Sequence, residues 1–265
     1  MSNKSFFQSE QSPNDTVLFE GMTSISALIE TVSSGTSNRR ILTVYFDEAQ
    51  LYKKNREYRF LDSKSKELGF SLSVISSDDL TKMASGTTHG GILALATARS
   101  YPPLLDSDLS NQGFWVMLDG IEDPYNFGYS LRALYASGAT GLILPPRNWL
   151  SAAGTVARAS AGTSEKMTVR VSDPISAIER FRSAGYSVCA AEIRDSQSLY
   201  ETDLKRPLLF IIGGEKRGIS REILSRCDRN VRIEYGREFR GSLSAAATCA
   251  VIGFEVMRFN NCSKN

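Results

Sequence analysis

The segment VMLDGIEDPYNFGYSLRALYASG, residues 116–138, decides the fold of this chain. It starts inside a short apolar run, residues 114–118, of the kind that a fully buried strand shows. Asp123 followed by Pro124 predicts a helix start, because aspartate accepts hydrogen bonds from free N–H groups and proline has no N–H to lose there. Gly138 predicts the end of the helix, since glycine adopts the left-handed conformation of a C-cap without strain.

A second apolar run, residues 141–145, completes a strand–helix–strand unit. Two polar residues of this unit, Asn126 and Arg132, are not needed for its folding. Asparagine is a weak helix former, and the arginine stands among apolar residues. On these residues alone two interpretations stay open: Asn126 caps the helix and Arg132 extends to solvent, or both serve a functional site.

The composition is that of an ordinary globular protein. The 265 residues are 42% hydrophobic and 23% charged, with a formal net charge of +2, so nucleic-acid binding has to rest on local patches. No apolar run approaches the roughly 18 residues of a membrane span, and the N-terminus lacks a signal-peptide core, so a cytoplasmic protein is expected. The four cysteines lack paired spacing, which argues against a disulfide framework or a metal site.

The pattern of elements predicts two α/β domains. Residues 1–14 are polar and are expected to form a flexible tail. In residues 15–98 strands alternate with helices, which predicts a small α/β module. Residues 99–112, with Pro-Pro near their start, are expected to be a linker. Residues 113–265 alternate on a larger scale, which predicts a mostly parallel sheet covered on both faces.

The smaller module carries basic residues interleaved with tyrosines. The basic residues are Arg39, Arg40, Lys53, Lys54, Arg56 and Arg59. Such a run is most often a solvated face; the alternative is a surface that follows phosphates and stacks aromatics on unpaired bases. The only histidine, His89, lies in a glycine-rich turn without the neighbours that a metal site or a catalytic triad needs.

Two further segments follow predicted strands of the larger domain, where ligands of open α/β sheets bind. The turn GGEKRG, residues 213–218, follows the apolar run 207–212, but it is neither a dinucleotide fingerprint nor a P-loop. Residues 233–250 end a strand, carry a basic loop and start a helix of small residues at Ser242. Either this helix packs tightly on its neighbours, or its free N–H groups point at a ligand.

In this order and spacing the three segments resemble the three motifs of the SpoU (TrmH-type) RNA ribose methyltransferases, of the SPOUT class. The motifs are residues 118–132, 212–219 and 233–250, and residues 157–163 match a further segment typical of the family. Residues 15–98 resemble the small RNA-binding domain of members that act on large-subunit ribosomal RNA. The glycine-rich turn around His89 fits this resemblance, which adds His89 to the basic residues as an expected RNA contact.

The resemblance implies a parallel sheet whose C-terminal part forms a deep trefoil knot, bound S-adenosylmethionine, an RNA substrate and a homodimer with its active site near the subunit interface. The implied cofactor-binding residues are Gly213, Gly214, Ile233, Ser242 and Leu243. The implied catalytic residues are Asn126, Arg132, Glu215 and Ser242. The implied reaction is methylation of a ribose 2′-hydroxyl, with Arg132 binding the target phosphate because arginine stays protonated.

The chain departs from the family pattern at Ser244, where the third motif usually has asparagine. Serine replaces the lost carboxamide only in part. Two alternatives to a ribosomal-RNA methyltransferase therefore stay open: a transfer-RNA 2′-O-methyltransferase, and a catalytically weakened RNA-binding or ribosome-assembly protein on the same fold. The N-terminal domain favours ribosomal RNA.

Overall fold

The computed structural model describes residues 16–146 and 152–262. They form two compact units, residues 16–100 with 152–166, and residues 101–146 with 167–262. The expected tail, residues 1–14, lies outside the described residues. Within the described part of the chain no helix has the length and apolarity of a membrane span.

Eleven strands and nine α-helices are described in the two units. The strands are β1 (Thr16–Glu20), β2 (Ile41–Asp47), β3 (Ser71–Ile75), β4 (Ile92–Thr97), β5 (Phe114–Asp119), β6 (Gly141–Leu144), β7 (Val169–Val171), β8 (Ser187–Ala191), β9 (Gln197–Ser198), β10 (Leu208–Gly213) and β11 (Arg229–Arg232). The helices are α1 (Met22–Ser33), α2 (Asn55–Leu68), α3 (Ser77–Met83), α4 (Pro124–Ala136), α5 (Ala153–Ala159), α6 (Thr163–Lys166), α7 (Pro174–Ser183), α8 (Arg221–Leu224) and α9 (Ala245–Cys262).

The first unit is built on a four-stranded mixed sheet of order β1-β4-β2-β3. β4 is antiparallel to β1 and β2, and β2 is parallel to β3. Ile25, Leu28 and Ile29 of α1 recur at the spacing of one helix face and are buried in the core of this unit. Helices α5 and α6 belong to this unit, although the sequence places them within the 113–265 domain.

A buried ion pair within the first unit holds α6 to the start of β2. Arg39 Nε donates to Glu165 Oε2 at 2.8 Å and Arg39 Nη2 to Oε1 at 3.2 Å, with both side chains only 2% exposed. Arg39 Nη1 also donates to the Thr97 carbonyl at 2.8 Å, and the guanidinium lies 5.1 Å from the Phe19 ring centroid. This bidentate pair satisfies the geometry that arginine and carboxylate prefer. The side chain expected to bind RNA at position 39 is therefore a structural one.

The second unit is built on a seven-stranded parallel sheet of order β7-β6-β5-β10-β8-β11-β9. Its strands β5 and β10 are buried along nearly their whole length, as the continuous apolar runs predict. The α/β class and the parallel sheet expected from the sequence are confirmed. The trefoil knot stays a prediction.

Helix α4 forms where the sequence predicts it, and for the predicted reason. The Asp123 carboxylate accepts from the Asn126 N–H at 2.8 Å, and Pro124 is the first helical residue. Gly138 follows the helix with φ of +80°. In strand β6, position 141 has no room for a side chain, because a Cβ there would lie 2.3 Å from the Trp115 ring.

We expect Glu165→Gln to destabilise the first unit by about 3–5 kcal/mol, because it leaves the Arg39 guanidinium buried without its counter-charge. Hydrogen exchange of the β2 and β4 amides, read by mass spectrometry, measures the change in opening free energy of this unit.

The control is Glu67→Gln, which alters the exposed Lys64–Glu67 pair of α2 and is expected to cost less than about 1 kcal/mol. Equal protection in the two variants would contradict the structural role of the Arg39–Glu165 pair.

Candidate functional site

The site begins where β5 and β10 end side by side. Gly213 of β10 is in register with Asp119 of β5, and the Gly214 N–H donates to the Asp119 carbonyl at 2.6 Å. A Cβ on Gly214 would lie 2.1 Å from the Gly120 carbonyl oxygen, so only glycine allows the two loops to approach this closely. The turns of the first two motifs are thereby fixed against each other. Burial raises the pKa of the Asp119 carboxyl at this junction.

One carboxylate joins all three motifs. Glu215 Oε1 accepts from Asn126 Nδ2 at 2.8 Å and from the backbone N–H of Ala245 at 3.4 Å. Ala245 is the first residue of α9. The N–H groups in the first turn of a helix have no partner inside the helix, so a negative charge is favourable there. The structure thus brings together Asn126 and Glu215, two of the four residues expected to be catalytic; Glu215 is exposed to solvent and Asn126 is half-buried.

A cavity of about 360 Å³, here called the acceptor cavity, opens beside this carboxylate. Its lining residues come from all three motifs: Gly120, Ile121, Glu122, Asp123, Pro124, Asn126, Glu215, Lys216 and Ala245. Lys216 Nζ lies 2.7 Å from Glu122 Oε2 on its rim, in an exposed pair that contributes little to stability. The cavity is open and has both apolar and polar lining groups, among them Asn126 and Glu215, which can bond a ligand that carries hydroxyl groups.

A second cavity of about 210 Å³, here called the cofactor cavity, shares Glu215 and Ala245 with the first. All five residues expected to bind the cofactor line it: Gly213, Gly214, Ile233, Ser242 and Leu243. A Cβ on Gly213 would lie 2.6 Å from the Gly218 backbone carbon, so the turn of the second motif is folded tightly on itself. The two cavities are therefore adjoining chambers that have Glu215 and Ala245 in common.

The cofactor cavity also contains residues that the sequence analysis did not single out. They are Ala191, Glu192, Ile193, Ile212, Gly218, Ile219, Val231, Arg232, Tyr235, Ala245 and Thr248. Glu192 and Ile193 directly follow β8, which neighbours β10 in the sheet. The rule that ligands bind at the carboxyl ends of parallel strands applies to this loop as well, so it could have predicted Glu192 and Ile193 from the sequence.

Ser242 and Ser244 have different surroundings. Ser242 lines the cofactor cavity, and within the described ranges its hydroxyl makes no hydrogen bond. Ser244 precedes α9 and caps it, because its Oγ accepts from the Ala247 N–H at 3.2 Å and its carbonyl accepts from the Thr248 N–H at 2.9 Å. Serine and asparagine are about equally good N-caps. The departure from the family pattern at residue 244 thus preserves the start of α9.

Arg132 does not join the Asn126–Glu215 pair within this chain. It is exposed, and its guanidinium has no hydrogen-bond or ion-pair partner in residues 16–146 or 152–262. It lies on the same face of α4 as Tyr125 and Tyr129, which are 46% and 48% exposed, because residues at i, i+4 and i+7 align on a helix.

The residues expected to bind RNA in the first unit fall into three groups. Four of them are exposed and without ion pairs in the described part of the chain: Arg40, Lys53, Arg56 and Arg59. Lys54 and His89 instead order the glycine-rich turn, because Lys54 Nζ donates to the Gly90 carbonyl at 2.5 Å and His89 Nδ1 accepts from the Gly91 N–H at 3.1 Å. Arg39, as described above, is buried against Glu165.

Three thiols of the second unit, Cys189, Cys227 and Cys249, are withdrawn from solvent to differing degrees. Burial raises the pKa of Cys189 to about 11 and the pKa of Cys227 and Cys249 to about 12. A thiol must ionise to act as a nucleophile or a metal ligand, and these stay protonated. In the described residues no group of three or more His, Cys, Asp or Glu side chains is placed to hold a metal ion.

A parallel α/β sheet with a two-chamber site at its strand ends is the architecture of a small-molecule-dependent enzyme. The sequence model of the SpoU rRNA Methylase family matches residues 113–254, more than half of the chain. The chain belongs to this family and is an RNA methyltransferase.

Relatives and solved structures resemble the chain over most of its length. A putative TrmH family tRNA/rRNA methyltransferase of Bacillus subtilis, YacO, is 27% identical over 242 residues, which cover 89% of this chain and 94% of that protein. The crystal structure of an AdoMet-bound rRNA methyltransferase from Sinorhizobium meliloti superposes with a TM-score of 0.75 at 22% identity, covering 92% of this chain and 87% of that one.

A third match is shorter. A structure described as giving insights into 2-OH methylation of C/U34 on tRNA has a TM-score of 0.51 at 26% identity, and it covers 58% of this chain and 99% of that one. That protein therefore matches little more than the length of the second unit.

We expect Cys189, Cys227 and Cys249 to resist alkylation in the native protein at pH 8. Their thiolate fraction is then about 0.1% or less, against roughly a quarter for a free thiol of pKa near 8.5. Timed iodoacetamide labelling followed by peptide mass spectrometry measures the rate at each position.

The control is the same protein in urea, where all three residues should react rapidly. Equal rates in the folded and unfolded protein would show that these thiols are not shielded.

Proposed function

We propose that this protein transfers the methyl group of S-adenosylmethionine to a ribose 2′-hydroxyl of large-subunit ribosomal RNA. The observation that carries the proposal is the pair of adjoining cavities. One is lined by all five expected cofactor residues, the other contains the Asn126–Glu215 pair, and Glu215 borders both. A donor in one chamber and an acceptor hydroxyl in the other would meet at this carboxylate, which is the alignment that methyl transfer requires.

The residues of the cofactor cavity suit S-adenosylmethionine. Ile193, Ile233 and Leu243 offer apolar walls to an adenine ring. The tight turn at Gly213 and Gly214 brings backbone groups close to the cavity, where they can bond the polar edge of the base. When bound there, the cofactor supplies a sulfonium methyl group that is already activated for in-line attack.

The chain's own contribution is alignment and charge stabilisation. Glu215 holds the Asn126 carboxamide in place at the wall of the acceptor cavity, where the amide can orient the ribose hydroxyl. The Arg132 guanidinium binds the phosphate beside the target, and its positive charge stabilises the alkoxide as it forms. Water or that phosphate accepts the proton, because no neutral base is available from arginine.

Exposed aromatic residues on α4, the helix that carries Arg132, and on α9 support a homodimer. Tyr125, Tyr129 and Tyr135 of α4 are 42–48% exposed, and Phe254 of α9, the helix that packs on α4, is 44% exposed. An aromatic surface on two packed helices is typical of a protein–protein interface. A second copy that covers this surface would place Arg132 at the boundary between the two chains, where it can serve the site of the other copy.

The first unit supports ribosomal RNA over transfer RNA as the substrate. Four exposed cations, Arg40, Lys53, Arg56 and Arg59, offer phosphate contacts, and Tyr52 among them is 94% exposed and free to stack on a base. The matching structure named for tRNA covers only 58% of this chain, whereas the one named for rRNA covers 92%. The shorter match leaves 42% of this chain uncovered, a share large enough to hold the first unit.

A cofactor-binding prediction follows from the cofactor cavity. Leu243→Arg places a long cation in an apolar wall and is expected to abolish binding of S-adenosylmethionine, as measured by calorimetric titration of the folded protein.

Leu105→Arg, at a leucine of the second unit that is 53% exposed, is the control and should bind as the wild type does. Unchanged binding in Leu243→Arg would contradict the assigned position of the cofactor.

A catalytic prediction concerns Arg132. Arg132→Ala is expected to lower the rate of methyl transfer by about 100-fold or more, because it removes a cation that stabilises the transition state. Transfer of a tritiated methyl group to large-subunit ribosomal RNA measures the rate, and resistance of the product to alkaline cleavage locates the methyl group on the ribose.

Cofactor affinity of this variant should stay within about twofold of the wild type, because Arg132 does not line the cofactor cavity. Turnover at the wild-type rate would refute the role of Arg132.

Faster methylation of transfer RNA than of ribosomal RNA by the wild type would refute the proposal that ribosomal RNA is the substrate.

A further inference from the structure

The segment Tyr235–Gly241, here called the arginine loop, connects β11 to the residues that open α9. It reads Tyr-Gly-Arg-Glu-Phe-Arg-Gly, with a glycine near each end. Its first residue lines the cofactor cavity, as do Ser242 and Leu243, which follow its last residue. The loop therefore stands directly on the wall of the cofactor cavity.

The arginine loop is ordered by contacts at its base. The Leu243 N–H donates to the Tyr235 hydroxyl at 3.3 Å, which ties the start of the loop to the residues after its end. The Tyr235 and Phe239 rings pack edge to face, with centroids 5.6 Å apart and planes at 63°. A Cβ on Gly241 would lie 2.6 Å from the Phe239 ring, so the ring rests on the glycine backbone.

Phe239 is nevertheless 57% exposed. One part of its ring is held by Tyr235 and Gly241, while the rest is open to solvent. A ring that is already held in place loses little conformational entropy when a ligand stacks on it. An exposed, pre-positioned aromatic ring is the feature that proteins use to stack on an unpaired base.

Two arginines flank this ring, and neither makes a strong contact that stabilises the fold. Arg237 has no hydrogen-bond or ion-pair partner in the part of the chain that the structure describes. Arg240 Nε lies 4.0 Å from Glu238 Oε1, and these two side chains are 94% and 86% exposed, so their attraction is weak. Both guanidinium groups are free to bind phosphate oxygens, for which their planar fork of donors is well suited.

We propose that the arginine loop binds the RNA substrate beside the methyl-transfer site, with Phe239 stacked on an unpaired base and Arg237 and Arg240 on the phosphates that flank it. This inference rests on the proposed function and extends it. It assigns to the third motif a second task besides holding the cofactor, and it requires a substrate that is single-stranded next to the methylated ribose.

The test measures binding of the full-length protein to a fluorescein-labelled oligouridylate and to a labelled RNA duplex by fluorescence anisotropy. Phe239→Ala should weaken oligouridylate binding about tenfold or more, because one base loses its stacking partner. Duplex binding should change by less than about twofold, since paired bases offer no open face. Phe239→Tyr keeps a ring and should bind as the wild type does.

The arginines are tested by the salt dependence of the same binding. Each phosphate contact that is removed from a single strand should reduce the slope of log K against log salt concentration by about 0.7, so the double variant Arg237→Ala/Arg240→Ala should lose about 1.4. Tyr200→Ala removes an exposed aromatic ring and Arg226→Ala a half-buried charge paired with Glu179, both elsewhere on the second unit, and they should leave both readouts unchanged.

Wild-type affinity of Phe239→Ala for the oligouridylate, or no binding of the oligouridylate by the wild type, would overturn the inference. Calorimetric titration with S-adenosylmethionine separates this failure from that of the proposed function. If the variants bind both the cofactor and the RNA with wild-type affinity, only the role of the arginine loop is overturned. If the folded wild-type chain does not bind the cofactor, both the inference and the proposed function are overturned.

Discussion

The approach of Gly214 to the backbone of Gly120 is the constraint on which the functional site depends. Two parallel strands that are neighbours in a sheet end at the same edge, but their loops normally diverge to make room for side chains. Here the absence of a Cβ lets one turn lie on the other, with the Gly214 N–H bonded to the Asp119 carbonyl. Glu215, the next residue, therefore lies within hydrogen-bonding distance of Asn126 at the start of α4.

The network around Glu215 is built for chemistry more than for stability. Glu215 is exposed and Asn126 is half-buried, and hydrogen bonds that water can reach add little net free energy to folding. What the network provides is position. The Glu215 carboxylate is favoured at the N-terminus of α9 and holds the Asn126 carboxamide through a hydrogen bond, so both side chains are positioned without full burial. They remain accessible to ligands from both cavities.

The first unit shows the opposite use of charge. Arg39 and Glu165 are withdrawn from water, and their mutual hydrogen bonds compensate for the lost solvation. Arg40 is the next residue and is exposed. Two adjacent arginines therefore serve different purposes, one inside the fold and one on its surface, because successive residues of an extended chain point to opposite sides.

Much of this protein was determined by local sequence. Apolar runs specified buried parallel strands, and Asp123 with Pro124 specified the start of α4, because these signals depend on neighbouring residues alone. The resemblance of three segments to family motifs also indicated five residues that the structure places together in the wall of the cofactor cavity.

Only the tertiary structure decided which charges are free. Arg39 is buried because α6, more than a hundred residues later in the chain, brings Glu165 to it, and no local pattern encodes such a contact. Arg132 is exposed although it stands among apolar residues, because its face of α4 is turned away from the sheet. Ser244 keeps the start of α9 in place of the usual asparagine, since capping needs only one side-chain oxygen near the free N–H groups. Sequence alone determined the elements and the motif residues, whereas long-range packing determined which side chains face solvent, a neighbour or a ligand.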